Sequence, residues 1–114
     1  MFVYKLSLNR IHDRLRITEG DEHLDLRVDA DPMRIIAGLN EAQKRLQTIT
    51  AETSEEDTRT IAQYFASVMF GDKQAQELLD FYHDDAGCVI NVCGMYFKDR
   101  LAKLIEKAQK KIKQ

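Results

Sequence analysis

Apolar and polar positions alternate through the first 30 residues. Phe2, Tyr4, Leu6 and Leu8 alternate with Val3, Lys5 and Ser7; Leu15 and Ile17 with Arg14, Arg16 and Thr18; Leu24, Leu26 and Val28 with His23, Asp25, Arg27 and Asp29. A period of two sends one set of side chains to a buried face and the other to water, so these stretches predict a short antiparallel meander. "TEGDEH" supplies a turn, with Gly20 free to take a positive φ. The alternating arginines and aspartates form its solvated face.

The period then changes. Asp31 suits a helix N-cap and Pro32 the first helical position, and Ile35, Leu39, Ala42, Leu46 and Ile49 recur at helical spacing, which predicts a helix over residues 31–50. "TITAETSEED" breaks the pattern. Within it Thr53 and Glu56 stand at capping-box spacing and open a second helix through Phe70, with Ile61, Tyr64, Phe65, Val68 and Met69 as its apolar face. Gly71 stops that helix, and Asp72 caps a short third one whose Ala75, Leu78, Leu79 and Tyr82 share a face. After "HDDAG", Ile90, Cys93, Phe97, Leu101, Leu104, Ala108 and Ile112 mark a last helix over about residues 88–112, roughly 37 Å long. "CVINVC" is β-branched and by itself also fits a short buried strand; the unbroken stripe through "MYFKDRLAKLIEKAQ" favours helix. The expected architecture is a single α+β domain over residues 1–114: a β-meander over 1–30, a first helix over 31–50, and a helical region over 51–114. About four helices dominate it.

Composition changes this picture little. The 114 residues, 44% hydrophobic and 32% charged, have the balance of one globular domain. No apolar run approaches the roughly 18 residues that cross a bilayer, and "MFVYKLSLNRIHDR" lacks the apolar core of a secretory signal, so a cytoplasmic address without membrane contact is expected. Charge is more informative. The net charge of −2 conceals nine acids against two bases in residues 51–85 and seven bases against two acids in residues 98–114. Such blocks attract each other or steer a charged partner.

Candidate chemistry concentrates in "FYHDDAGCVINVCGMYFKDR". Cys88 and Cys93 in a helix would have Cα atoms about 8–9 Å apart, too far for an unstrained disulfide, and read as small core residues. His83, Asp84, Asp85 and Cys88 lack the paired spacing of a zinc site and sit where a helix needs capping acids. His12 and His23 read as surface residues. No phosphate loop, nucleophile elbow or paired-histidine motif occurs, so no enzyme activity, metal or cofactor is expected. Gly38 and Gly94 fall inside helical patterns, where a glycine costs about 1 kcal/mol and marks close packing. The basic "RLAKLIEKAQKKIKQ" has no interleaved aromatic and is interrupted by Glu106, which favours a protein partner or solvation over nucleic acid.

"YFASVMFGDKQAQELLDFY" followed by "CVINVCGMYFKDRLAKLIEKAQKKIK" resembles small tail proteins of long-tailed phages and prophages of Gram-positive bacteria, regarded as tail assembly chaperones. The resemblance covers about residues 55–113, most recognisably "FGDKQAQELLDFY" and "KLIEKAQKKIK". It implies a non-enzymatic homo-oligomer that keeps the long helical tape measure protein soluble in the host cytoplasm until the tail polymerises. It also implies that a longer product could arise by frameshifting near the gene's end. Tyr82, Tyr96, Phe97, Leu101 and Leu104 are the expected contacts for self-association or client, with Lys107, Lys110 and Lys111 as the basic contacts. The alternatives are a nucleic-acid-binding phage regulator using the basic C-terminal helix and a small structural tail-completion protein.

Overall fold

The computed structural model describes residues 10–112, and side chains to residue 109; the strand expected around Phe2 to Leu8 lies outside them. β1 (Ile11–Glu19) and β2 (Glu22–Ala30) form an antiparallel hairpin in which Glu19 faces Glu22, leaving Gly20 and Asp21 as a two-residue loop. Gly20 has φ +61° and Asp21 a negative φ, the type II′ pattern whose twist matches the flanking strands. Leu15 faces Leu26 and Ile17 faces Leu24 on the inner side, while His12 faces Asp29, Arg14 faces Arg27 and Arg16 faces Asp25 on the outer side. Leu26 and Val28 are fully buried.

The edge of β2 is closed by a side chain. Gln74 Nε2 donates to Arg27 O and Arg27 N donates to Gln74 Oε1, both at 2.7 Å, so the amide stands in for a neighbouring strand. Because Arg27 directs its backbone groups away from β1, Arg14 and Arg27 form a non-hydrogen-bonded pair, the closer of the two kinds of cross-strand pair.

α1 (Pro32–Leu46) opens as expected: Asp31 accepts from Met33 N at 2.9 Å, and Pro32 takes the first helical position. It closes at Leu46, so Ile49 belongs to the loop. α2 (Glu55–Phe70) is capped by Ser54, which accepts from Asp57 N at 3.1 Å; the cap expected at Thr53 is one residue early. Thr53 instead accepts from Thr50 N within the loop, and the shift fills the first turn of α2 with Glu55, Glu56 and Asp57, matched to the helix dipole. Gly71 ends α2 with φ +85° and is also the N-cap of α3 (Asp72–Phe81), leaving Asp72 inside the first turn with no capping bond, contrary to expectation.

The HDD turn closes α3 with positive φ at His83 and Asp84, and Asp85 then caps α4 (Ala86–Tyr96) by accepting from Cys88 N at 3.1 Å. "CVINVC" is helical. A π-helical turn (Phe97–Leu101) joins α4 to α5 (Ala102–Ile112) in one continuous rod, so the described residues hold four helices after the hairpin. α2 occupies the centre, packing against α1, α3, α4 and β2, while α5 reaches back to α1 and β1. Phe65, Met69, Leu78, Leu79, Val89 and Leu101 belong to one buried core among the described residues.

A Cβ added at Gly38 would lie 2.7 Å from Val68 Cγ1, so this glycine lets α1 settle directly onto α2. Gly94 has nothing within 4 Å of the same point, and the close packing expected there is absent among the described residues. Val68 is β-branched and stiff at χ1, so it cannot step aside. Gly38→Ala is therefore expected to lower stability by about 1–2 kcal/mol: overpacking outweighs the roughly 1 kcal/mol gained in helix propensity. In a Val68→Ala background the same change becomes neutral or stabilising, read from urea midpoints at constant slope.

Candidate functional site

Between the open end of the hairpin, α1 and α2 runs a groove of about 1350 Å³. Ile35, Gly38, Tyr64 and Val68 are among the residues along its helical side, and Arg10, His12, Arg14, Arg27, Arg34 and Arg45 stand around it. Each arginine arrives by a simple local rule. The outward phase of the strands delivers Arg14 and Arg27 to one level, and the solvent side of α1 delivers Arg34 and Arg45.

Some of these cations are already engaged. Arg10 Nε donates to Asp29 Oδ1 at 3.0 Å, and its guanidinium holds the Asp29 carboxyl below the usual range. Arg45 pairs with Glu41 at 3.3 Å and lies 3.8 Å over the Tyr64 ring. Arg14 and Arg34 have no carboxylate within salt-bridge distance among the described residues. Arg14 directly opposite Arg27 is the one like-charged pair on an outer face whose other pairs include His12–Asp29 and Arg16–Asp25, and like charges so placed are destabilising unless an anion comes between them.

A second constellation lies at the opposite side of β1. Asp13 points inward, in phase with Ile11, Leu15 and Ile17, and its side chain is only 5% exposed. Tyr96 Oη donates to Asp13 Oδ2 at 2.6 Å, and Arg100 Nε donates to the same oxygen from the π turn. The Arg100 hydrogen bond outweighs burial and, with the Tyr96 bond, lowers the Asp13 pKa. Burial, reinforced by the carboxylate, pushes the Tyr96 phenol well up. This arrangement is a tie between strand and helix, in which the buried Asp13 carboxylate is held by the Tyr96 hydroxyl and by the exposed Arg100 guanidinium.

The residues expected to make contacts therefore divide. Leu101 is fully buried and Tyr96 nearly so, with its ring 5.7 Å from that of Phe70; both are core and tie residues, a correction to their expected role as contacts. Tyr82, Phe97 and Leu104 are half-buried. Tyr82 donates to Glu19 Oε1 at 3.1 Å, and burial followed by that bond pushes its pKa up to about 12. Lys107 is exposed, whereas the side chains of Lys110 and Lys111 lie outside the described residues. The groove arginines and Asp13 were not foreseen. The available signal for Asp13 was its position on the apolar phase of a strand.

Cys93 is fully buried, and burial pushes its thiol up to about 12. Cys88 is half-exposed rather than core, because it lies in the first turn of α4 just after the capping Asp85. Both thiols stay protonated near neutral pH. Among the described residues no three His, Cys, Asp or Glu side chains are grouped to hold a metal ion. His12 and His23 are exposed beside Asp29 and Asp25. No helix among the described residues is long and apolar enough to cross a membrane. Comparison with protein-family models, with curated proteins and with solved structures finds no match to this chain.

The tie fixes a sign for acid stability. A carboxyl whose folded pKa is depressed contributes stability that is present above its unfolded value of about 3.9 and lost as pH falls through the folded value. Stability is expected to drop as the pH falls below about 4, and Asp13→Val should flatten part of that limb. At neutral pH Asp13→Val is expected to cost about 1–3 kcal/mol because it strands the Tyr96 hydroxyl. Adding Tyr96→Phe should recover part of the loss, a coupling that urea denaturation of the double-mutant cycle measures.

Proposed function

We propose that this chain is a non-catalytic protein-binding module whose groove holds a helical client. With the resemblance carried by residues 55–113, the client is the tape measure protein and the chain a tail assembly chaperone. The observation that carries the reading is the groove itself, with the half-buried Tyr64 and Val68 along a side rimmed by arginines. An α-helix about 10 Å across with a 5.4 Å pitch fills roughly 420 Å³ per turn, so the groove has volume for about three turns of a client. Apolar positions of such a helix would meet Tyr64 and Val68, and acids on its flank would meet Arg14, Arg27 and Arg34. Acidic side chains also relieve the repulsion between Arg14 and Arg27. The exposed cations Lys98, Lys103 and Lys107 on the last helix offer a second charged surface to the same client.

Co-expression with a tape measure protein, the client that the resemblance implies, tests the reading. The client is expected in the soluble fraction only when this chain is present. Arg14→Glu combined with Arg27→Glu should abolish that rescue while the far-UV spectrum and melting temperature stay close to wild type, since both side chains are exposed. A client equally insoluble with and without the chain overturns the proposal. DNA binding that falls steeply with salt and disappears on charge reversal at Lys107, Lys110 and Lys111 would move the chain to the regulator class.

A further inference from the structure

Both aspartates on the outer face of the hairpin are taken. Arg16 donates to Asp25 twice, from Nε to Oδ1 at 2.7 Å and from Nη2 to Oδ2 at 3.2 Å. Arg10 donates to the carboxylate and to the carbonyl of Asp29, and His12 Nδ1 lies 3.5 Å from the same carboxylate. Between these two pairs Arg14 stands directly opposite Arg27. Neither has a carboxylate within salt-bridge distance among the described residues. Arg27 acts on Asp29 only as the weakest of the charges around it. Asp31 and Asp72 also line the groove, but Asp31 caps α1, Asp72 lies in the first turn of α3, and neither pairs with these arginines. Residues 1–9 and 110–114 contain no Asp or Glu, so they add no side-chain carboxylate.

The fold holds these two cations together. A non-hydrogen-bonded cross-strand pair keeps its Cβ atoms about 5 Å apart. Gln74 fixes both backbone groups of Arg27 at 2.7 Å. Asp13, the residue before Arg14, is fixed by Tyr96 and Arg100. With both strands anchored at this level, a slip of register cannot separate the pair. Both side chains are exposed, so an ion reaches them directly from water. Two guanidiniums side by side present several N–H donors and two charges, which a tetrahedral dianion matches in oxygens and in charge. A single carboxylate would leave one charge unmet.

We propose that Arg14 and Arg27 form a binding site for a phosphate dianion, free or as a monoester, seated between the two guanidiniums. Each guanidinium donates to different oxygens of the ion, and the repulsion across the strands becomes a shared attraction. The donors are exposed and the site is wet, so the dissociation constant is on the order of 1 mM. The pair stands on the rim of the groove, but its test uses the chain alone. It can therefore fail while the client reading holds, and the reverse.

Titrating the nitrogen-15-labelled full chain with sodium phosphate tests it, at about pH 8, where phosphate is a dianion, and at an ionic strength held constant with sodium chloride. Backbone amide signals around Arg14 and Arg27 are expected to shift along a saturating curve. Arg14→Gln and Arg27→Gln should each weaken binding about tenfold or more, and Arg34→Gln less than about twofold. The same spectra report that each variant is folded. Asp25→Asn releases Arg16 beside the pair and should tighten binding. Phenyl phosphate separates the two sources: affinity equal to that of phosphate assigns the site to esters, and a marked loss assigns it to the free ion. No saturable shift at phosphate concentrations about fiftyfold above the expected constant overturns the proposal. So does a shift that persists in both glutamine variants, or succinate bound as tightly as phosphate.

Discussion

A carboxylate on the buried face of a two-stranded ribbon is tolerated only if donors reach it from elsewhere in the fold. Asp13 is that carboxylate, and Tyr96 and Arg100 are the donors. A hairpin alone is marginal in water, and this one depends on the helices it packs against. The tie also guards register. Sliding β1 by one residue would turn Arg14 toward the core and Asp13 to solvent, losing both donors at once. Gln74 performs the matching service on the other strand, so β1 is fixed to the π turn and β2 to the first turn of α3. The groove exists because the hairpin is held at this distance from α1 and α2.

Much of the fold was legible where local chemistry and periodicity agree. Alternation in residues 11–30 identified both described strands and their outer face, and Asp31 with Pro32 marked the start of α1 to the residue. Errors fell where several competent residues stand side by side. Thr53 and Ser54 can each cap a helix, and the choice between them depends on which one the loop frees: Thr53 is taken by Thr50. Asp72 lost its cap to Gly71 because the chain turns sharply enough there for one glycine to end α2 and begin α3. Gly38 and Gly94 look alike in sequence, and only the fold shows that one faces Val68 and the other open space.

The candidate site was less legible, for a physical reason. Arg14, Arg27, Arg34 and Arg45 each obey the rule for solvated positions, and nothing local states that four of them border one concavity. That fact belongs to the packing of the hairpin and of α1 against the same helix, α2, which no single segment encodes. Aromatic side chains in the last helices drew attention as contacts because they are large. Size cannot separate a residue that anchors a core from one that anchors a partner, and here the core holds Tyr96 while Tyr82 and Phe97 remain half-buried.

The phase of the last helix explains why Leu101 went to the core and Phe97 did not. An uninterrupted α-helix through Ile90, Cys93, Phe97, Leu101 and Leu104 would put those five on one stripe. The buried residues are instead Val89, Cys93, Tyr96, Leu101, Ile105 and Ala108, with a gap of five between Tyr96 and Leu101. Each extra residue in a turn rotates the downstream helix by about 100°. Without the π turn the stripe of α5 would point about that far from the stripe of α4, and one of them would leave the core. With it, the two stripes align, Ile90, Phe97 and Leu104 become flanks, and Arg100 falls within reach of Asp13. The five-residue gap is written in the sequence, yet it reads as a π turn only once both halves of the rod are known to face the same core. Insertions of this kind recur at functional positions. Here the π turn joins the two ends of the molecule: it aligns the core stripe of the rod and delivers the donor that fastens the hairpin.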